Sequence, residues 1–196
     1  PKKKVSAQDL FFDLLKERAE TGRIYIMNLD HCNSHSSFKD KVSMSNLCQE
    51  ITLPTTPIQD IHDEQGEIAL CILSAVNVGA LNDLSELENI CDLSVRALEQ
   101  IIDYQDYPVK AAEVSTKKRR SLGIGYIGLA HYLAKNGVKY SDPEAWALVD
   151  RLSEAFQYYL LRASCDIAME KGKCEGFERT KYADGLLPID HYKKDV

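Results

Sequence analysis

The chain has 196 residues, of which 44% are hydrophobic and 28% charged, with a formal net charge of −6. That length suits one ordinary domain or a segment of a larger one, and the apolar share is enough for a real core. The mild acidity argues against wrapping a nucleic-acid polymer, which needs clustered Lys and Arg, and no apolar run approaches the roughly 20 residues that span a bilayer.

The chain opens on Pro1-Lys2-Lys3-Lys4-Val5. No apolar stretch follows, so this is no signal peptide, and the basic run reads as a solvated lead into a helix. It lacks an initiator Met, and both ends read as cut from something longer. Ser6 to about Thr21 predicts a helix, with Ser6 and Asp9 spaced as a capping box and Leu10, Phe11, Leu14 and Leu15 on one face. Arg23 to Leu29 is β-branched and aromatic and predicts a buried strand. His31 to Ser45 is polar and reads as a loop. Cys48 to Leu53 is a short mixed segment ended by Pro54 and Pro57.

Asp63-Glu64-Gln65-Gly66 reads as a turn. Glu67 to Val78 is almost continuously apolar, which predicts a strand buried on both faces. Leu84, Leu87, Cys91, Val95, Leu98 and Ile102 keep helical spacing, so Asp83 to about Tyr104 is an amphipathic helix. Ser121 to Lys135 reads as another helix, and Lys117-Lys118-Arg119-Arg120 before it as a solvated loop. Ser141, Pro143 and Glu144 then signal a helix start. The stripe Ala145, Leu148, Val149, Leu152, Phe156, Tyr159, Leu160, Ala163 and Ile167 carries that helix to about Gly172. Two or three strands make no complete sheet protein, so the cut ends favour an α/β fold whose other strands lie outside the chain.

Six cysteines, Cys32, Cys48, Cys71, Cys91, Cys165 and Cys174, occur without a CxxC pair. In a chain able to build a core they are expected as reduced thiols of a cytoplasmic protein, not a disulfide framework. His31, Cys32 and His35 lack the second ligand pair of a zinc site, so no metal is expected. Gly123-Ile124-Gly125-Tyr126-Ile127-Gly128 matches the dinucleotide-binding string literally. That string works only after a strand and at the head of a helix. The preceding basic run has no strand character, so close helix packing is the better reading and a nicotinamide enzyme the weaker one.

The stretch Ser45-Asn46-Leu47-Cys48-Gln49-Glu50-Ile51 carries most chemistry. In extended backbone, residues two apart share a side, so Asn46, Cys48 and Glu50 would present an amide, a thiol and a carboxylate together. The bland alternative is a half-buried edge strand with a small apolar Cys. SNLCQEI, followed 23 residues later by the cysteine inside GEIALCILSAVNVG, resembles the large, catalytic subunit of class I ribonucleotide reductases of bacteria and bacteriophages. RIYIMNLDHCN, DYQDYP, RRSLGIG, QYYLL and LPID extend the likeness along the chain.

The resemblance implies an α/β fold, part of the ten-stranded barrel whose finger loop carries the radical cysteine at its tip. Residues 1–80 would supply strands and finger loop, and 81–196 a mainly helical portion of one segment. It places the radical at Cys48, one thiol of the redox pair at Cys71, and the groups beside the substrate ribose at Asn46, Leu47, Cys48, Gln49 and Glu50, with Glu50 the general base. It implies radical-based reduction of ribonucleoside diphosphates to 2′-deoxyribonucleotides. The partners would be the remaining segments of the large subunit, a radical-generating, metal-containing small subunit and a thioredoxin- or glutaredoxin-type reductant, with no membrane, no nucleic-acid polymer and no cofactor in this chain. The finger should be shielded from solvent. The second redox cysteine, the phosphate-binding loop, the tyrosine relay and the C-terminal cysteine pair have no match here, so the segment alone is expected to be inactive. Tyr158-Tyr159 is no relay, since Tyr159 belongs to the apolar stripe. Cys91 reads as helix core. A non-catalytic assembly piece of a split reductase is the alternative.

Overall fold

The computed structural model describes residues 2–195, with side chains through residue 191. Its first helix, α1 (Ala7–Thr21), starts where Ser6 Oγ accepts from the Asp9 N–H at 3.3 Å and stops at left-handed Gly22. Leu10, Phe11 and Leu15 on it are exposed, so local signals and not packing define this helix. The expected strand at 23–29 is absent: residues 23–28 are irregular, and neither described strand pairs with them. Apolar residues alone do not make a strand, whose backbone groups need a neighbour. A second correction follows directly, because α2 (Leu29–His35) is a helix where a loop was expected.

The Asp63 turn forms as expected, its carboxylate accepting from the N–H groups of Gln59, Gln65 and Gly66. The strand β1 (Ile72–Asn77) is shorter than the apolar run and is covered on one side only. Glu67, at the head of that run, instead exchanges two backbone hydrogen bonds of 3.0 Å with Thr56 in an isolated antiparallel bridge. From β1 the chain passes through α3 (Glu86–Tyr104) and α4 (Lys110–Arg119) before returning as β2 (Leu122–Ile127), parallel to β1 with Leu73 opposite Gly123 and Ala75 opposite Gly125. A parallel pair needs such a crossover.

The strand β2 replaces the first half of the helix expected over 121–135; only α5 (Leu129–Lys135) is helical. Leu122, Ile124 and Tyr126 alternate with Gly123 and Gly125, a period of two that serves a sheet and cannot line one helix face. Gly128 separates the two elements with φ +79°, and a Cβ there would collide with Asn77 Oδ1.

Two helices cover one side of the sheet. The stripe Leu87, Cys91, Val95, Leu98 and Ile102 of α3 is buried. So are Ala145, Leu152, Phe156, Ala163 and Ile167 of α6 (Pro143–Lys171), as the helical periodicity predicts. Asp142, not Ser141, is the N-cap of α6, with Pro143 in its first turn, where a missing N–H costs nothing. Arg162 pairs with Glu88 and Arg96 with Glu170, so α3 and α6 run parallel. Val76 joins Leu87, Cys91, Leu133, Leu152 and Phe156 in the main core, against which Ile124 and Tyr126 also pack. Tyr159 is partly buried against the same core, as expected of a packing residue. Short 3₁₀ turns at Glu175–Arg179 and Lys181–Asp184 lead to α7 (Pro188–Asp195).

Among the described residues no helix is long and apolar enough to cross a membrane.

Candidate active site

The segment that leads to Cys48 is tied down at its base. Asn33 on α2 donates to Val42 O and accepts from the Val42 N–H, both at 2.8 Å, so its amide completes the backbone hydrogen bonding of a residue that is fully buried. Phe38 bridges Thr180, the Lys39 N–H donates to Arg179 O at 2.9 Å, and the Lys181 N–H donates to Ser37 O at 2.7 Å. Lys39 Nζ also reaches Asp184 Oδ1 at 2.8 Å. Residues 37–39 are thus held by a region far along the chain and Val42 by α2, and the next residues project from that base.

At the tip the backbone turns; it does not run extended. The Gln49 N–H donates to Asn46 O at 3.1 Å, which places Leu47 and Cys48 at the two central positions of the turn, and Gln49 adopts φ +59°. The expected grouping of Asn46 with Glu50 nevertheless forms, by a different route. Asn46 Nδ2 donates to Glu50 Oε1 at 2.5 Å, while Asn46 Oδ1 accepts from the Ile51 N–H at 3.0 Å. Ser45 Oγ donates to Ile51 O at 2.6 Å and closes the neck of the loop. Amide and carboxylate therefore face each other across the turn that carries the thiol. Cys48 is exposed within this chain, and Leu47 is 81% exposed. The shielding expected of the finger is not supplied by the residues described.

Cys71 stands immediately before β1, half-buried, and burial pushes its thiol pKa up. Ile72, Ser74 and Val76 turn towards the helices, while Leu73 and Ala75 face the open side of the sheet. All six cysteines are free thiols. Cys91 is fully buried in the helix core, as expected, and burial raises its pKa to about 11.

The largest departure from the expected picture is the basic run. Lys117, Lys118 and Arg119 belong to α4, and Arg120 caps it in a left-handed conformation. The run is not a solvated loop, because three of its charges have acidic partners on other elements. Arg119 Nε donates to Glu67 Oε2 at 2.5 Å and its Nη2 lies 3.0 Å from Asp40 Oδ2. Lys118 Nζ donates to Glu67 Oε1 at 2.7 Å. Arg120 pairs with Glu99 and Asp103 on α3. Arg179 also donates to Asp40 Oδ1. Burial pushes the Glu67 and Asp40 carboxyls up, but hydrogen bonds from Arg119 and Lys118 to the first, and from Arg179 and Arg119 to the second, outweigh it and hold both below their ordinary values. Arg119 therefore ties the segment leading to Cys48 to the segment leading to Cys71. The available signal was Glu67 itself, a lone charge opening an apolar run.

The glycine string does not build a dinucleotide site. Gly123 and Gly125 lie within β2, and α4 precedes them, so the required strand, glycine turn and helix do not follow in that order. Two surface clefts of about 420 and 600 Å³ are lined by Glu64, Lys110 and Lys117 and by Asn136, Asp142 and Arg151 among others; neither is lined by Cys48 or Cys71. Among the described residues no group of three His, Cys, Asp or Glu could hold a metal ion.

A parallel sheet backed by helices, with a tethered loop whose turn carries a thiol and is closed by an amide–carboxylate contact, is an α/β fold with a candidate site on that loop. The profile of the family described as ribonucleotide reductase, barrel domain, matches residues 1–196, and the chain belongs to that family. It is 59% identical over 198 residues to the ribonucleoside-diphosphate reductase subunit alpha of Haemophilus influenzae and 57% identical over 198 residues to that of Buchnera aphidicola subsp. Schizaphis graminum. It is also 40% identical over 200 residues to the subunit alpha of Enterobacteria phage T4. Each match covers 100% of this chain and 26% of the relative, so the chain spans about a quarter of the length of these curated relatives.

Proposed function

We propose that this chain is the finger-loop and flanking-strand part of the catalytic subunit of a ribonucleoside-diphosphate reductase, with Cys48 as the residue that carries the radical. The observation that carries this reading is the turn at the loop tip, where Asn46 and Glu50 meet through a 2.5 Å hydrogen bond on either side of Cys48. A thiyl radical on Cys48 would remove the 3′-hydrogen of the ribose. Glu50 would take the proton of the 3′-hydroxyl as general base, which promotes loss of the 2′-hydroxyl as water. Asn46 holds the Glu50 carboxylate now and would orient the same hydroxyl in the complex. Leu47 and Gln49 complete the contact surface of the tip.

Cys71 would act with a partner thiol from outside this chain. The two thiols give up two electrons and two protons and form a disulfide; the ribonucleotide accepts them and leaves as a deoxyribonucleotide and water. The disulfide is then reduced by a dithiol of the thioredoxin or glutaredoxin type through thiol–disulfide exchange. The radical comes from a separate metal-containing small subunit, and the remaining segments of the large subunit shield Cys48, as radical chemistry requires. A cytoplasmic location and a role in supplying DNA precursors follow from that substrate and product. The chain alone would not turn over.

The test is Cys48→Ser within the full-length subunit, combined with the radical-generating subunit and a dithiol. Loss of deoxyribonucleotide formation with substrate binding retained is expected. Unchanged formation would leave only the alternative, an assembly piece of a split enzyme.

A further inference from the structure

The side of the sheet turned away from α3 and α6 has an uneven surface. β1 presents Leu73, 58% exposed, and then Ala75, while β2 opposite them presents Gly123 and Gly125. Beside Gly125 nothing would meet an added Cβ within 4 Å, so that stretch of backbone is open. Beside Gly123 the opposite holds. A Cβ on Gly123 would lie 3.0 Å from Cys71 Sγ and 2.6 Å from Leu73 Cδ2. The Cys71 thiol and the Leu73 side chain both fill the space left by that missing side chain.

We propose that Gly123 is a positioning residue for the Cys71 thiol: its bare backbone on the neighbouring strand lets Sγ lie over β2, and so sets the direction from which a second sulfur can approach. The proposal rests on the redox reading of Cys71. In that step Cys71 and a partner thiol lose two electrons and two protons to the ribonucleotide and form one S–S bond, and the attacking and receiving sulfurs must line up. Gly123→Ala brings a methyl group into contact with two side-chain ends. Leu73 Cδ2 is the end of an exposed, flexible side chain and can swing away. The thiol is the group whose displacement matters, since small misplacements of reacting atoms cost rate steeply.

The experiment uses the pre-reduced full-length subunit with its radical-generating partner and no added reductant, and follows deoxyribonucleotide formed in the first turnover. Gly123→Ala is expected to slow that turnover about tenfold with substrate KM unchanged, and to change the rate at which iodoacetamide alkylates Cys71. The double variant Gly123→Ala with Leu73→Ala, which removes the 2.6 Å contact and leaves the 3.0 Å contact with Cys71 Sγ, is expected to stay slow, and full recovery in it would overturn the proposal. Wild-type turnover and alkylation rates in Gly123→Ala, with Cys71→Ser inactive, would overturn the proposal alone. Full first turnover in Cys71→Ser would instead remove the reading of Cys71 on which it stands. Should Gly123→Ala not fold, the same comparison is made in the Leu73→Ala background, where equal rates with Gly or Ala at 123 would overturn it.

Discussion

Arg119 Nε donates to Glu67 Oε2 at 2.5 Å, with the two side chains only 5% and 6% exposed. Through its Nη2 the same guanidinium reaches Asp40, which precedes Cys48, whereas Glu67 precedes Cys71. One buried cation thus fixes two segments that carry the proposed reacting thiols. Its Nη1 has no hydrogen-bond partner among the described residues, so the ion pairs must also offset an unsatisfied donor. Removing one partner of a buried pair leaves the other charge uncompensated, which costs about 3 kcal/mol or more. Arg119→Ala is therefore expected to lower the denaturation midpoint strongly in chemical unfolding. Arg120→Ala, in a cluster less buried than that of Arg119 and with Asp103 largely exposed, should cost less.

The same acids predict a pH dependence. Glu67 and Asp40 titrate below their ordinary values of 4.5 and 3.8 in the folded chain. As pH falls, the unfolded state takes up these protons first, so stability is full above about pH 4.5 and is lost as pH drops through the lower folded values. Unfolding curves measured between neutral and strongly acidic pH should show that decline, and Glu67→Gln should flatten it while lowering stability at neutral pH.

Asn46→Ala separates chemistry from folding. The change removes the hydrogen bond to Glu50 and the one from the Ile51 N–H, both at an exposed loop tip. Melting temperature should hardly move. Turnover in the full-length enzyme should fall roughly a hundredfold, the lower range for losing a positioned general base. A variant with normal turnover would show that the Asn46–Glu50 contact has no part in the reaction.

The scaffold behind the sheet has its own test. Leu152 is fully buried in the main core between α3 and α6. Leu152→Ala should cost about 2–5 kcal/mol in unfolding free energy, a loss that Leu152→Met would largely avoid.

Helices α3 and α6 were legible from spacing because each buries one stripe against a core this chain builds itself. The strand expected at 23–29 did not form, since apolar content says nothing of whether a neighbour is present to pair with it. Residues 122–127 were misread for the opposite reason. Their glycines hid the alternation of Leu122, Ile124 and Tyr126, which was the strand signal. At the site, the pairing of Asn46 with Glu50 was legible, although a turn with Gln49 at positive φ brings them together and not the expected extended backbone. Arg119 was not legible from its own surroundings, only through Glu67. Its burial depends on acids 52 residues away at Glu67 and farther still at Asp40, and a local charge run carries no record of such partners.

The most direct measurement changes each of Cys32, Cys48, Cys71, Cys91, Cys165 and Cys174 to Ser, one at a time, in the full-length subunit and follows deoxyribonucleotide formation with a dithiol reductant. The account predicts no product from Cys48→Ser, loss of thiol-dependent turnover from Cys71→Ser, and activity in each of the other four wherever the protein folds. Sustained product formation without the Cys48 sulfur would contradict it.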